Sequence, residues 1–226
     1  MKQLAFDFAV LPPPTLDNFV SGRNAELKLR LRNLASRSGD ERLLYLWGPP
    51  GSGRTHLLRA ALARLEAAGS HVTYFASAPG ETLPDSICEM DAVAVDDVER
   101  LNEDAQVAFF NVYNAFRDTG RTLLAAGNAA PMQLALRADV VTRLGWGLVY
   151  EVHCLSDPEK AQALAEHAAL RGFALQPDLI EYLLTHVRRD MPALLATVEA
   201  LDRYSLSAKR AVTMPLLREL LSSLKE

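Results

Sequence analysis

Through the first two thirds of the chain, short and nearly continuous apolar runs alternate with longer stretches of mixed polarity. The runs Leu43–Trp47 and Ala92–Asp96, with those at 71–77, 122–126 and 147–152, read as strands. Unbroken apolarity, in place of alternation, indicates strands covered on both faces, as in a parallel sheet. Helical patterns follow at 56–65 and at about 104–116. The alternation predicts a doubly wound α/β domain with its ligands at the carboxyl ends of the strands. From Ser156 onward only helical patterns occur. Ser156, Pro158 and Glu159 spell a helix start with a capping box, and Gly172 ends that helix. Pro177 and Asp178 open the next helix, Asp190 caps a third, and Met214 and Pro215 open a short last one. A small all-helical domain is therefore expected behind the α/β core. The predicted division is 1–14 as a peptide and proline spacer, 15–154 as the α/β domain and 155–226 as the helical domain.

Between the first strand and its helix stands Gly48-Pro-Pro-Gly-Ser-Gly-Arg-Thr55. This fits the phosphate-binding pattern GxxxxGK[ST] except that Arg54 replaces lysine. Glycines let successive N–H groups face one anion, and the helix N-terminus adds favourable partial charge. Pro50, Gly51, Ser52, Gly53, Arg54, Thr55 and His56 are thus candidate nucleotide-binding residues, with the Thr55 hydroxyl a candidate Mg²⁺ ligand. The alternative is a glycine-rich turn that binds nothing. The third strand ends in Asp96 and Asp97. After such a loop, Asp96 suits Mg²⁺ coordination through water and Asp97 suits polarising the attacking water. Otherwise the pair is a strand end capped by solvent-facing acids. Asn128, after the fourth strand, is either a γ-phosphate sensor or a turn residue. Arg143 is either an arginine finger offered to a neighbour's phosphate or one half of a surface ion pair.

Composition removes other classes. The 226 residues carry a net charge of −4, which excludes a global basic footprint for nucleic acid. No apolar stretch reaches the ~18 residues of a membrane span, and no signal peptide is evident. Cys88 and Cys154, far apart in sequence, read as buried small hydrophobes in a reducing, cytoplasmic compartment.

Several separated motifs, in order, resemble the AAA+ ATPases of the bacterial replication-initiator family. The segment Leu16-Asp-Asn-Phe-Val-Ser-Gly-Arg-Asn24 resembles the stretch beside adenine in that family, which implicates Phe19 and Val20. The loop with His56-Leu-Leu58, the Val95-Asp-Asp-Val98 strand end and the Arg143-Leu-Gly-Trp-Gly147 box resemble its P-loop helix, acidic strand end and arginine-finger box. The resemblance implies an AAA+ P-loop core with a helical lid, binding ADP or ATP with Mg²⁺. With the sequence ending at Glu226, just after the expected lid, the initiator's C-terminal DNA-binding helix-turn-helix is not expected here. The chain's Gln3-Leu-Ala-Phe-Asp-Phe8 resembles the peptide that bacterial proteins dock into the DNA polymerase III sliding clamp (its β subunit). There Leu4 and Phe8 would anchor, Phe6 would add apolar contact and Gln3 would fix polarity; an edge strand is the alternative. Pro12, Pro13 and Pro14 suit a stiff spacer.

Together these features imply a negative regulator of replication initiation. ADP-bound and docked on the DNA-loaded clamp, it would stimulate hydrolysis of ATP held by the initiator DnaA, Arg143 being presented in trans. Strong direct DNA binding and a membrane role are not expected, and a homo-oligomer stays open. Two departures bear on its own catalysis. Arg54 is planar and forked where lysine is compact, which favours diphosphate over the γ-phosphoryl transition state. Pro192 stands where many AAA+ lids carry a sensor arginine; Arg188 and Arg189 precede it and either reach inward or are solvated. The rival readings are an autonomous P-loop ATPase and a DNA-binding, helicase-loader-type adaptor.

Overall fold

Parallel strands need crossover connections, and the apolar runs of this chain are spaced to supply them. The computed structural model describes residues 13–36, 41–188 and 190–223. The Gln3–Phe8 peptide and Arg189 lie outside the described residues. Two compact units form, one before and one after the junction between Cys154 and Leu155.

In the first unit, β1 (Leu43–Trp47), β2 (Val72–Ala76), β3 (Ala92–Asp96), β4 (Thr122–Gly127) and β5 (Leu148–Glu151) form one sheet in the order β2-β3-β4-β1-β5. Every pairing is parallel. Successive side chains of a strand point to opposite faces, and the two cores divide accordingly. Leu44 and Leu46 of β1 join Ala92, Ala94, Leu124 and Ala126 on one face, under α1 (Ala25–Asn33) and α2 (Arg54–Ala67). Leu43 and Tyr45 join Val93, Val95, Leu123 and Ala125 on the other, under α3 (Glu103–Thr119) and α4 (Ala138–Leu144). This double coverage is why β1, β3 and β4 are apolar on both sides, whereas the edge strands β2 and β5 are only partly buried. The expected fold class, an α/β parallel-sheet core followed by a helical region, is what forms.

Helix ends are set by local chemistry. Asn102 Oδ1 accepts from Ala105 N at 2.8 Å to start α3, and Gly120, at φ 65°, closes it. Pattern reading missed α1, whose mean polarity is high and whose buried side is only Leu27 and Leu31. A further expectation is corrected: Cys88 and Cys154 are both exposed. Cys88 lies in a short 3-10 turn at Asp85–Glu89, where Ile87 takes the buried place. Cys154 follows the last strand and points out of the core.

The second unit holds α5 (Asp157–Leu170), α6 (Pro177–His186), α7 (Met191–Ala208) and α8 (Met214–Ser223) around Leu164, Leu183, Leu194, Leu201 and Leu217. Asp190 Oδ1 accepts from Ala193 N at 2.9 Å as the α7 cap, with Pro192 in the first turn. Arg188, which is highly exposed, pairs through Nε with Asp190 Oδ2 at 3.1 Å. At α5 the capping box is complete: Glu159 N donates to Ser156 Oγ and Ser156 N to Glu159 Oε2. Ser156→Ala removes one acceptor of that box and should lower stability by about 1 kcal/mol. Urea unfolding would show a lower midpoint at unchanged m; an unchanged midpoint would mean the box contributes nothing.

Candidate nucleotide site and arginine face

The carboxyl end of β1 delivers the chain into a loop that only glycine permits in places. Gly51 and Gly53 have φ of 80° and 99°, in the left-handed region. A Cβ at Gly53 would also come within 2.8 Å of the Phe19 ring, and one at Gly48 would strike the Val152 carbonyl. The loop therefore sits tight between the segment before α1 and the chain leaving β5. The Ser52 hydroxyl is buried without a hydrogen-bond partner among the described residues, and so is one terminal nitrogen of Arg54. Buried polar groups are rarely left so, and these two donors meet the chemistry of a phosphate.

At the end of β3, Asp96 is 2% exposed and accepts three hydrogen bonds. The Thr55 hydroxyl donates to Oδ2 at 2.5 Å, the Tyr74 hydroxyl to the same oxygen at 2.8 Å, and Asp97 N to Oδ1 at 3.0 Å. Burial, reinforced by the bond to Asp96, pushes the Tyr74 phenol up to about 12, so it stays a donor at neutral pH. Arg59 stacks over the same ring at 4.2 Å. Mg²⁺ prefers hard oxygen ligands, keeps several waters and takes few from protein. The Thr55 hydroxyl and the Asp96 carboxylate, already held together, fit that demand.

Asp97 differs from its neighbour. Its backbone is left-handed, with φ 51°, which turns the side chain away from the strand direction. Arg54 Nη2 lies 3.8 Å from its Oδ1, and Arg100 Nη1 lies 3.7 Å from its Oδ2. The residue expected to polarise water is thus a shared counter-ion of two guanidiniums. The Arg54 side chain is only 11% exposed, so this pairing is sheltered from water. At the end of β4, Asn128 is exposed, and its backbone N–H donates to Glu99 Oε2 at 3.3 Å. Gly127 beside it leaves room for the Tyr45 hydroxyl, which donates to the Ala129 carbonyl at 2.7 Å.

Phe19 and His56 meet at a ring distance of 5.5 Å. His56 Nε2 lies 2.9 Å from the Thr15 carbonyl, and burial holds the imidazole below its ordinary value, so the ring is neutral with Nδ1 as acceptor. The segment that carries Phe19 is tied down by reciprocal bonds between Thr15 and Asn18. Lys28 of α1 donates to the Phe19 carbonyl at 2.7 Å, and burial holds its ammonium below the usual range. Val20, beside Phe19, is half-buried. Phe19 and the residues from Pro50 to His56 thus gather with Asp96 and Asp97 at one end of the sheet. Sequence reading passed over Lys28, Tyr74 and Arg100. Lys28 sits on the unrecognised helix, Tyr74 inside a strand where it reads as apolar, and Arg100 in a short turn.

Arg143 is held elsewhere, by α3. Its guanidinium carbon is 4.2 Å from the Trp146 ring centroid and 4.6 Å from that of Phe110, and Nε donates to Asn114 Oδ1 at 3.4 Å. Among the described residues no carboxylate lies within ion-pair distance of it. The surface ion pair offered as its alternative role is absent there.

Comparison with known proteins agrees with this architecture. The family model of the Hda lid domain matches residues 157–221, and that of the bacterial DnaA ATPase domain matches residues 71–151. Domain III of the Thermotoga maritima replication initiation protein DnaA superposes with a TM-score of 0.70 at 19% identity, covering 94% of this chain and 97% of that one. AMPPCP-bound DnaA from Aquifex aeolicus gives 0.69 at 20%, covering 87% and 67%. A Thermotoga maritima RuvB variant gives 0.68 at 17%, covering 95% and 73%. At such identities the structures establish the shared fold, and the two family models, one on each unit, support an Hda/DnaA-like AAA+ protein.

Proposed function

We propose that this chain is a nucleotide-bound regulator of replication initiation that docks on the DNA-loaded sliding clamp and stimulates hydrolysis of ATP bound to DnaA. The observation that carries this reading is the contrast between its two functional arginines. Arg54, in the chain's own loop, is committed to Asp97, whereas Arg143 has no carboxylate among the described residues. A guanidinium without a counter-ion is suited to an anion supplied from outside.

The chain's own site supports holding a nucleotide without turning it over. The loop N–H groups, the Ser52 hydroxyl and the free Arg54 nitrogen would bind the phosphates, with Phe19, Val20 and His56 beside the base. Thr55 and Asp96 would hold Mg²⁺, which supplies charge neutralisation at the phosphate oxygens when bound. Asp97, shared as an ion-pair partner by Arg54 and Arg100, is not free to orient an attacking water. ADP as the resident nucleotide follows from that reading. In DnaA's site, Arg143 would neutralise charge that develops on the transferring phosphoryl group, an effect worth ~10³–10⁵ in rate for arginines supplied in trans. Clamp docking rests on Gln3, Leu4, Phe6 and Phe8 in sequence and on the Hda-type lid match.

Arg143→Ala should abolish stimulation of DnaA-bound ATP hydrolysis and leave ADP affinity and clamp binding unchanged; unaltered stimulation would sink the assignment. Gln3→Ala with Leu4→Ala should remove clamp binding, measured by co-sedimentation, while nucleotide affinity persists. In the chain's own site, Arg54→Lys should raise single-turnover ATP hydrolysis on the order of tenfold, by restoring a compact charge and releasing Asp97. No gain in that variant would show that Arg54 is not what restrains the site.

A further inference from the structure

Phe110, Asn114 and Arg117 are spaced i, i+4 and i+7 along α3, and so share one face. Arg143 lies against that face. The α4 helix ends at Leu144, and Trp146 N donates to the Arg143 carbonyl at 3.1 Å, which folds the chain back on itself. The indole then covers the guanidinium that stands three residues earlier. Phe110 lies against Arg143 as well, at 4.6 Å. Arg117, itself paired with Asp118, approaches the Trp146 ring at 5.3 Å.

Trp146 is 51% exposed, so core packing does not account for it. The half-exposed ring instead fixes a charged side chain that would otherwise sample many rotamers. The bonding pattern also leaves one part of Arg143 available. Only Nε is engaged, by a neutral amide. Neither terminal nitrogen has a hydrogen-bond partner among the described residues, and neither is buried. Two rings against the guanidinium and an amide at Nε leave the forked Nη edge, the part that bonds phosphate oxygens in pairs.

We propose that Phe110, Asn114 and Trp146 are positioning residues that hold the Arg143 guanidinium with its Nη edge presented to the terminal phosphate of a nucleoside triphosphate bound by a partner P-loop protein. The inference rests on the reading of Arg143 given under Proposed function. Its substance is that the rate conferred by Arg143 depends on orientation set within this chain before the partner arrives. A preset guanidinium spends no ordering entropy at the moment of reaction.

The test measures single-turnover hydrolysis of DnaA-bound ATP on DNA-loaded clamp, against rising concentrations of the full chain. Trp146→Ala, Trp146→Phe, Phe110→Leu and Asn114→Ala are compared with wild type and Arg143→Ala. Trp146→Ala and Phe110→Leu should lower the maximal rate about 10- to 100-fold while shifting the half-saturating concentration much less. Trp146→Phe should restore most of the rate, and ADP affinity should stay unchanged throughout. In the isolated protein, the Arg143 Nε–H resonance should be ring-current shifted and should lose that shift in Trp146→Ala. That readout needs no partner, and Phe110→Leu carries the kinetic test if Trp146→Ala does not fold. A full maximal rate in both ring variants would overturn the proposal. So would a raised rate, which would make the rings a restraint on Arg143. An unshifted Nε–H in wild type would overturn it too. No effect of Arg143→Ala would instead remove the reading of the arginine itself.

Discussion

The buried carboxylate of Asp96 is the constraint on which the candidate site depends. A charge at 2% exposure is costly unless it is hydrogen-bonded, and here three donors from three elements satisfy it. Thr55 brings the first turn of α2, Tyr74 brings β2, and the Asp97 amide fixes the turn that follows β3. Meeting that demand sets the height of the phosphate-binding loop over the sheet. The same turn throws Asp97 into a left-handed backbone and toward Arg54 and Arg100. The geometry that satisfies one acid thereby places the next within ion-pair distance of two guanidiniums.

Two arginines divide the chemistry that results. Arg54 occupies the lysine place of the loop, is nearly enclosed, and faces an acid that a hydrolysing site would keep free. Arg143 is half-buried on α4, gripped by rings and one amide, with no counter-ion among the described residues. The proposed action on another protein's nucleotide rests on this contrast between the two arginines.

The parallel sheet and the helical unit were legible because periodicity and caps are local. Leu43–Trp47 and Ala92–Asp96 coincide with β1 and β3, and Ser156 and Asp190 start helices by side-chain chemistry that a sequence displays. Helix α1 was not legible, since only Leu27 and Leu31 mark its buried side. The loop residues and Asp96 followed from motif spacing. The Asp97 pairing and the Tyr74 bond did not, because they depend on which side chains meet across strands β2 and β3 and the turn beyond. Cys88 was misjudged because a neighbouring Ile87 took the interior place, which composition does not reveal. The aromatic grip on Arg143 was half visible: Trp146 stands three residues away, but Phe110 and Asn114 arrive from another helix.

The proposed function turns on where hydrolysis would occur, in the partner's site and not in the chain's own. The most direct measurement loads labelled ATP on DnaA alone, supplies this protein with unlabelled ADP, and follows product release on DNA-loaded clamp. DnaA's ATP should be cleaved faster when this protein is present, and the protein alone should show no multiple-turnover ATPase. Unchanged cleavage of DnaA's ATP, or rapid turnover by this chain without a partner, would contradict it.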